Sequence, residues 1–457
     1  MTSFSELALI EPLQRGLAEV GYSQMTPVQA ESLPGILAGR DVIVQARTGS
    51  GKTAAFALGL LSKLDSSAVK LQGLVLCPTR ELADQVSREI RRLARFIPNV
   101  KVLTLCGGVP LRPHLASLTH EPHIVVGTPG RIVDLLRKEA LPLEGIQTLV
   151  LDEADRMLDM GFADDLHTII EATPTQRQTL LFSATIPESI RDISGQFQRD
   201  AIDITVEDDA SESPIAQTFF EVETDAKVDV LEALLLDYRP ESVVVFCNTR
   251  QDVRNVAEAL AQRDFAVLAL HGELDQRERE EMLVRFANRS CTVLVASDVA
   301  ARGLDIIDLP MVMNYDIASD ADTHLHRIGR TGRAGREGIA LSLCTLRDMG
   351  RVNAIEDRLG ERLHWEKVPV PEDRSPLLAA HQTLAIDAGK QDKLRPGDVL
   401  GALTGDADLP ADAIGKIDVF PTRTYVAVAR ESYDKALERL RRGKIKGRAF
   451  RIRKIVR

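Results

Sequence analysis

Three short stretches carry residues whose types and spacing could handle a nucleoside triphosphate. In "ARTGSGKT" (46–53), Gly49 and Gly51 would let backbone N–H groups turn toward phosphate oxygens with no Cβ in the way. Lys52 would neutralise the β and γ phosphates, and Thr53 would offer its hydroxyl to Mg²⁺. In "TLVLDEADRM" (148–157) an apolar run ends in carboxylates. Asp152 would reach the metal from a dry interior, while Glu153 would orient or deprotonate the attacking water. In "HRIGRTGRAG" (326–335) arginines recur every three residues among glycines, a poor recipe for a plain helix. Planar guanidinium forks suit phosphate. Arginines from this stretch placed on the γ-phosphate in the transition state would be worth about 10³–10⁵ in rate, roughly 4–7 kcal/mol of barrier.

Each stretch has a plainer reading. A glycine turn joins many strands to helices, acidic residues often open a helix, and surface arginines often serve only solubility. A bare turn gives no reason for Lys52 and Thr53, nor for acids following a buried-type strand in the same chain. Together the first two motifs point to an NTPase. Ala46 stands where the general phosphate-loop pattern has its first glycine, and Arg47, Thr48 and Ser50 complete the loop.

These residues need a rigid frame, and the surrounding chain reads as one. Apolar runs at 41–46, 73–78, 101–105, 123–128, 148–152 and 178–185 alternate with helix-like segments. Continuous apolar strands spaced by helices imply a parallel sheet covered on both faces. The acidic, polar stretch 206–216 reads as a linker. The rhythm then restarts at 242–249, 265–272, 291–298, 311–316 and 339–344, which makes a second α/β domain. If arginines of that stretch act from the second domain, hydrolysis requires the two domains to close. The Pro-containing stretch 367–376 marks the next boundary. The expected organisation is therefore 1–205, a linker 206–216, 217–366, a linker 367–385, and a small domain 386–457.

Composition agrees with this plan. A chain of 457 residues suggests two to four domains, and 44% hydrophobic with 27% charged residues fits a soluble globular protein. No apolar run is long enough to span a bilayer, and the first residues lack the order of a secretory signal. The five cysteines are scattered, odd in number and without a Cys-x-x-Cys pair, so a reducing, cytoplasmic setting is expected. The net charge of −10 hides an asymmetry: from Ile386 onward there are 17 Lys and Arg against 10 Asp and Glu. A basic end on an acidic protein hints at nucleic-acid binding.

The motifs "ARTGSGKT", "PTREL" (78–82), "TPGR" (128–131), "DEAD" (152–155), "SAT" (183–185), "SDVAARGLD" (297–305) and "HRIGRTGR" (326–333) occur in one order. In that order they resemble the DEAD-box RNA helicases over about residues 4–335. The resemblance implies two tandem RecA-like parallel-sheet domains, with ATP and RNA bound across their cleft. It implies that Gln29, in "GYSQMTPVQ", hydrogen-bonds the adenine edge while Phe4 stacks on it. Ser183 and Thr185 would couple the nucleotide site to closure. Gly303 and Asp305 would approach the nucleotide from the second domain, His326 would touch the acidic motif, and Arg330 and Arg333 would be the arginine fingers. RNA contacts would come from Arg80, Gly107, Gly108, Thr128 and Arg131, and from Thr249, Arg279 and Ser297. Such contacts are mostly to the RNA backbone, with ribose 2′-hydroxyls selecting RNA over DNA. The implied work is local strand separation: ATP and RNA close the cleft on one bent strand, and hydrolysis reopens it.

The last stretch, "KIKGRAFRIRKIVR" (444–457), alternates apolar and basic residues in "RAFRIRKI", as an edge strand would. From about Gln391 the order reads strand, helix, two strands, helix, strand, beginning with "DKLRP". That is the order of a small α+β RNA-recognition-motif-like domain, and Tyr425 is the one aromatic left on its stacking strand. With "RPGDVLGALTG" and "GKIDV", this end resembles the bacterial DbpA group of the same family. That implies a domain gripping a 23S ribosomal RNA hairpin during 50S subunit assembly. Tyr425, Lys444, Lys446, Arg448, Arg451, Arg453 and Lys454 are its candidate contacts. A generic basic module would give nonspecific RNA affinity instead. The whole chain has a second reading as an ATP-gated RNA clamp that unwinds little.

Overall fold

The structure is a computed structural model that describes residues 3–46, 49–206, 215–301, 309–332, 337–375, 377–405 and 409–455. The chain divides into two units, Met1–Asp209 and the bulk of the chain from Ala210 onward. The expected site residues Arg47, Thr48, Gly303, Asp305 and Arg333 lie outside the described residues.

In the first unit the described strands are β1 (Val42–Gln45), β2 (Gly73–Leu76), β3 (Val102–Leu105), β4 (Ile124–Gly127), β5 (Thr148–Asp152), β6 (Gln178–Ser183) and β7 (Ile202–Thr205). They form one parallel sheet in the order β3-β4-β2-β5-β6-β1-β7. The central strands β2, β4, β5 and β6 are buried along their whole length because each face of the sheet has its own layer of helices. One face packs Val44, Val75, Val150 and Phe182 against Phe56, with the Phe56 and Phe182 rings 5.3 Å apart. The other packs Leu74, Leu149 and Leu181 against Ile132 and Ile169. Each such side chain, once buried, stabilises the fold by about 1.5–3 kcal/mol. In open sheets of this kind ligands bind beyond the carboxyl ends of the strands. The loop after β1, Asp152 at the end of β5 and Ser183 at the end of β6 all lie there.

The second unit repeats the plan with β8 (Ile215–Glu221), β9 (Val243–Cys247), β10 (Val267–Leu270), β11 (Val293–Ser297), β12 (Met311–Asn314), β13 (Gly338–Cys344) and β14 (His364–Glu366). Their parallel order is β10-β11-β9-β12-β13-β8-β14. Every apolar run noted in the sequence is a strand, but β7, β8 and β14 were not among them. Strands β7 and β14 are short, partly exposed edges with a weak apolar signal. Strand β8 begins inside the stretch expected to be a linker.

The unit continues into a four-stranded antiparallel sheet of β15 (His381–Ile386), β16 (Ile414–Val419), β17 (Thr424–Ala429) and β18 (Ile452–Lys454), ordered β16-β17-β15-β18. Helices Pro396–Thr404 and Tyr433–Arg442 cover one face, burying Val399, Leu403, Leu437 and Leu440 against Leu384, Val426 and Val428. Two expectations are corrected. The first strand is not "DKLRP" but "HQTLAI" upstream, so this domain begins before 386. "DKLRP" offers one apolar residue before Pro396 opens a helix, and Lys390–Asp392 is a 3₁₀ turn. "RAFRIRKI" does run along the sheet edge, but only Ile452–Lys454 pairs.

Candidate active site

The phosphate loop is positioned by β1 and by the helix Lys52–Lys63. Gly49 and Gly51 have φ of 87° and 97°, the left-handed region where a side chain is strained. A Cβ on Gly51 would also sit 2.5 Å from Gln29 Nε2. Gln29 donates from Nε2 to the Gly51 carbonyl at 3.1 Å and accepts from Thr26 N at 2.9 Å. The expected adenine reader is thus tied to the phosphate loop. Phe4 is buried beside Tyr22, ring centroids 6.4 Å apart. Lys52 is buried, and its Nζ donates to the Ala46 carbonyl at 2.7 Å. Burial holds its pKa below the usual lysine value, against the pull of Asp152, Glu153 and Asp155.

Asp152 is buried at the end of β5, and desolvation raises its pKa to about 7 despite the opposing charge of Lys52. Glu153 follows in the left-handed region at φ 52°, ψ 53°. Asp155 was not singled out from the sequence, yet it organises the site. Its Oδ2 accepts from Thr185 N and Thr185 Oγ1, each at 2.9 Å, and its N–H donates to Ser183 Oγ at 3.1 Å. These hydrogen bonds outweigh its burial and keep its pKa below the usual carboxylate value. Ser183 and Thr185 are therefore tied to the acidic motif through Asp155. The signal was its place as third acid in "DEAD", beside a buried strand.

On the same unit, Thr128 Oγ1 accepts from Gly107 N at 3.1 Å, and Gly108 has φ 77°. Arg131 is 7% exposed. It donates to the Val109 carbonyl at 2.7 Å and lies 2.6 Å from His114 Nδ1. In this structure Thr128 and Arg131 brace the glycine turn through Gly107 N and the Val109 carbonyl. Arg80 opens the helix Arg80–Leu93 and lies 3.7 Å from Asp84.

On the second unit, Thr249 caps the helix Arg250–Gln262 by accepting from Asp252 N. Arg279 donates to the Ala300 carbonyl at 2.7 Å, Ser297 is buried at the end of β11, and Arg330 is 7% exposed. His326 lies in the last turn of the helix Ala321–Ile328. The centre of this region is Arg327, which sequence reading passed over. It is 2% exposed and grips both Asp298 oxygens at 2.7 Å. It also donates to Asn248 Oδ1 at 2.8 Å and to the Asp316 carbonyl at 2.6 Å. Asn248 precedes Thr249 and Asp298 follows Ser297, so one guanidinium holds both expected RNA-contacting turns. Its position in the arginine series was the available signal.

Residues 26–193 match the DEAD/DEAH box helicase family, and residues 226–335 the helicase conserved C-terminal domain. Over 454 residues the chain is 54% identical to ATP-dependent RNA helicase DbpA of Escherichia coli K12, covering 99% of each. The chain belongs to the DEAD-box ATP-dependent RNA helicases. Within them it is DbpA-like, since residues 383–454 match the DbpA RNA binding domain. It is also 44% identical to the helicase CshA of Bacillus cereus over 78% of this chain and 68% of that one. Among solved structures, Saccharomyces cerevisiae Dbp5 bound to RNA and ADP BeF3 superposes with TM-score 0.71 at 29% identity, covering 80% of this chain and 96% of that one. The helicase uses ATP and binds RNA. Among the described residues no helix is long and apolar enough to cross a membrane.

The RNA-binding domain of the helicase corrects one expectation. Tyr425 is 3% exposed and packs with Ala385 against Val284 of the helix Gln276–Ala287, flanked by Phe420 and Ile455. Its Oη donates to Glu281 Oε2 at 3.3 Å. Asn288 Nδ2 adds a bond to Thr383 Oγ1 at 2.9 Å. The face that offers stacking rings in this fold is covered here, so Tyr425 has no open ring face. Arg453 is engaged by Asp387 at 2.9 Å. Lys446, Arg448 and Lys454 are exposed but lie near Asp398, Asp392 and Asp434. Lys444 and Arg451 are exposed and form no ion pair among the described residues.

Proposed function

We propose that this RNA helicase is directed by its C-terminal domain to a 23S ribosomal RNA hairpin in cytoplasmic precursors of the 50S subunit, and that it separates short RNA strands there. The observation that carries this is the match of residues 383–454 to the DbpA RNA binding domain, within a likeness that runs the whole chain. The exposed Lys444, Lys446, Arg448, Arg451 and Lys454 would grip phosphates, with Lys444 and Arg451 the least engaged internally.

In the proposed cycle, Lys52 leaves the Ala46 carbonyl for the β and γ phosphates, and backbone N–H groups from Gly49 to Thr53 cradle them. Phe4 and Gln29 hold the adenine. Asp152 and Thr53 are the residues that would hold Mg²⁺. A metal bound by one or two protein oxygens plus substrate phosphates is the usual Mg²⁺ arrangement, and Asp152 is a buried carboxylate whose pKa desolvation raises, so a bound cation would hold it ionised. The metal would neutralise charge developing on the phosphates. Glu153 would orient the attacking water, and Arg330 with Arg333 would complete the phosphate clamp once RNA is bound. Gly303, Asp305 and His326 would contribute from the second unit. Arg80, Gly107, Gly108, Thr128, Arg131, Thr249, Arg279 and Ser297 would line the RNA path, several of them by shaping turns.

The test is ATPase rate and strand displacement for the full chain with no nucleic acid, DNA, bulk RNA and 23S fragments. Stimulation strongest with one 23S hairpin fragment is the expected result. Equal stimulation by all RNAs would remove the ribosomal target, and turnover without displacement would favour an ATP-gated clamp.

A further inference from the structure

One buried cation in the first unit has no part in the scheme above. Arg156 is 4% exposed, on the short helix Ala154–Asp159 directly after the acidic motif. Its Nη1 donates to Glu153 Oε2 at 2.8 Å, and both side chains are almost wholly removed from water. Its own N–H donates to Asp155 Oδ1 at 2.9 Å. One residue thus touches both the expected base and the carboxylate that holds Ser183 and Thr185.

Glu153 needs such support. Its backbone occupies the left-handed region, which a non-glycine residue adopts only where its surroundings enforce it. Its carboxylate is buried, and a buried charge is costly unless paired and hydrogen-bonded. A charge-assisted bond from a planar guanidinium gives direction as well as attraction. We propose that Arg156 is a positioning residue for Glu153, fixing the carboxylate where it can meet the attacking water before nucleotide and RNA arrive. This rests on the reading of Glu153 as the water-orienting base. A base misplaced by about 1 Å can lose on the order of 10²-fold in rate.

The experiment measures RNA-stimulated kcat, KM for ATP and RNA affinity for Arg156→Ala, Arg156→Lys, Glu153→Gln and the Glu153→Gln/Arg156→Ala double variant. Glu153→Gln is expected to lose roughly 100-fold or more in kcat; parental turnover there would overturn the reading of Glu153 itself. Given that loss, Arg156→Ala is expected to lower kcat about 10- to 100-fold with KM and RNA affinity within about twofold. Arg156→Lys should recover a good part of that rate, and the double variant should be no slower than Glu153→Gln alone. Parental kcat in Arg156→Ala, additive losses in the double variant, or KM rising in step with falling kcat would each overturn the positioning role. Should Arg156→Ala fail to fold, as circular dichroism would show, Arg156→Lys decides: full parental kcat overturns the proposal and a partial loss at unchanged KM supports it.

Discussion

Tyr425 Oη lies 3.3 Å from Glu281 Oε2, 144 residues away in the chain. That contact joins the RNA-binding domain to the helix that also carries Arg279, whose side chain is anchored on the Ala300 carbonyl. The RNA-binding domain thus packs on the helix that carries a residue expected to hold RNA on the core. Burial of the phenol and the nearby Glu281 both push its pKa upward, so the ring stays neutral and donates.

Replacing Tyr425 with Ala should cost about 3–5 kcal/mol of packing at this contact and loosen the domain from Gln276–Ala287. Limited proteolysis in the 367–375 stretch should accelerate, while RNA affinity changes by less than about twofold. A tenfold fall in affinity without faster cleavage would return the ring to a stacking role.

Lys52→Ala removes the cation that now sits on the Ala46 carbonyl. ATP turnover should drop to background in a phosphate-release assay, while RNA binding persists because the C-terminal domain is built without this residue. Loss of RNA binding in this variant would contradict a modular protein.

Arg330→Ala should reduce ATP hydrolysis at saturating RNA by about 10³-fold or more, roughly 4 kcal/mol of barrier, with RNA binding retained. Single-turnover kinetics would show the loss in the chemical step. Parental rates would take the clamp of arginines out of the mechanism.

His324 sets a pH dependence. It is fully buried, 5.9 Å from the Phe219 ring and 3.0 Å from Gln217 Oε1, and burial lowers its pKa to about 4. The folded state therefore prefers the neutral ring. Its contribution is present above the ordinary histidine value and is lost as pH falls toward 4, about 2 kcal/mol between pH 7 and pH 5. Trp365, the chain's one tryptophan, stacks 5.6 Å from Phe219, so its fluorescence in urea reports this unit. His324→Gln should flatten the pH dependence; an unchanged slope would assign it to other groups.

The phosphate loop, the acidic motif and the arginine series were legible in the sequence because each is local. Chemistry demands those residue types within a few positions, so the chain order shows them. The two parallel sheets were legible for a similar reason: strands covered on both faces become continuous apolar runs. What eluded that reading has one cause. Strands β7, β8 and β14 are edges or start beside polar residues, and "HQTLAI" counts as a strand only because β17 and β18 lie alongside it. Arg156, Asp155 and Arg327 look like ordinary charges until burial and their partners make them organisers. Tyr425 looks like a base-stacking ring until Val284 and Glu281 cover it. Residue types and spacing determined which chemistry the helicase performs. Only the tertiary structure decided which side chains face that chemistry and which hold others in place, because burial and pairing depend on partners that lie far apart along the chain.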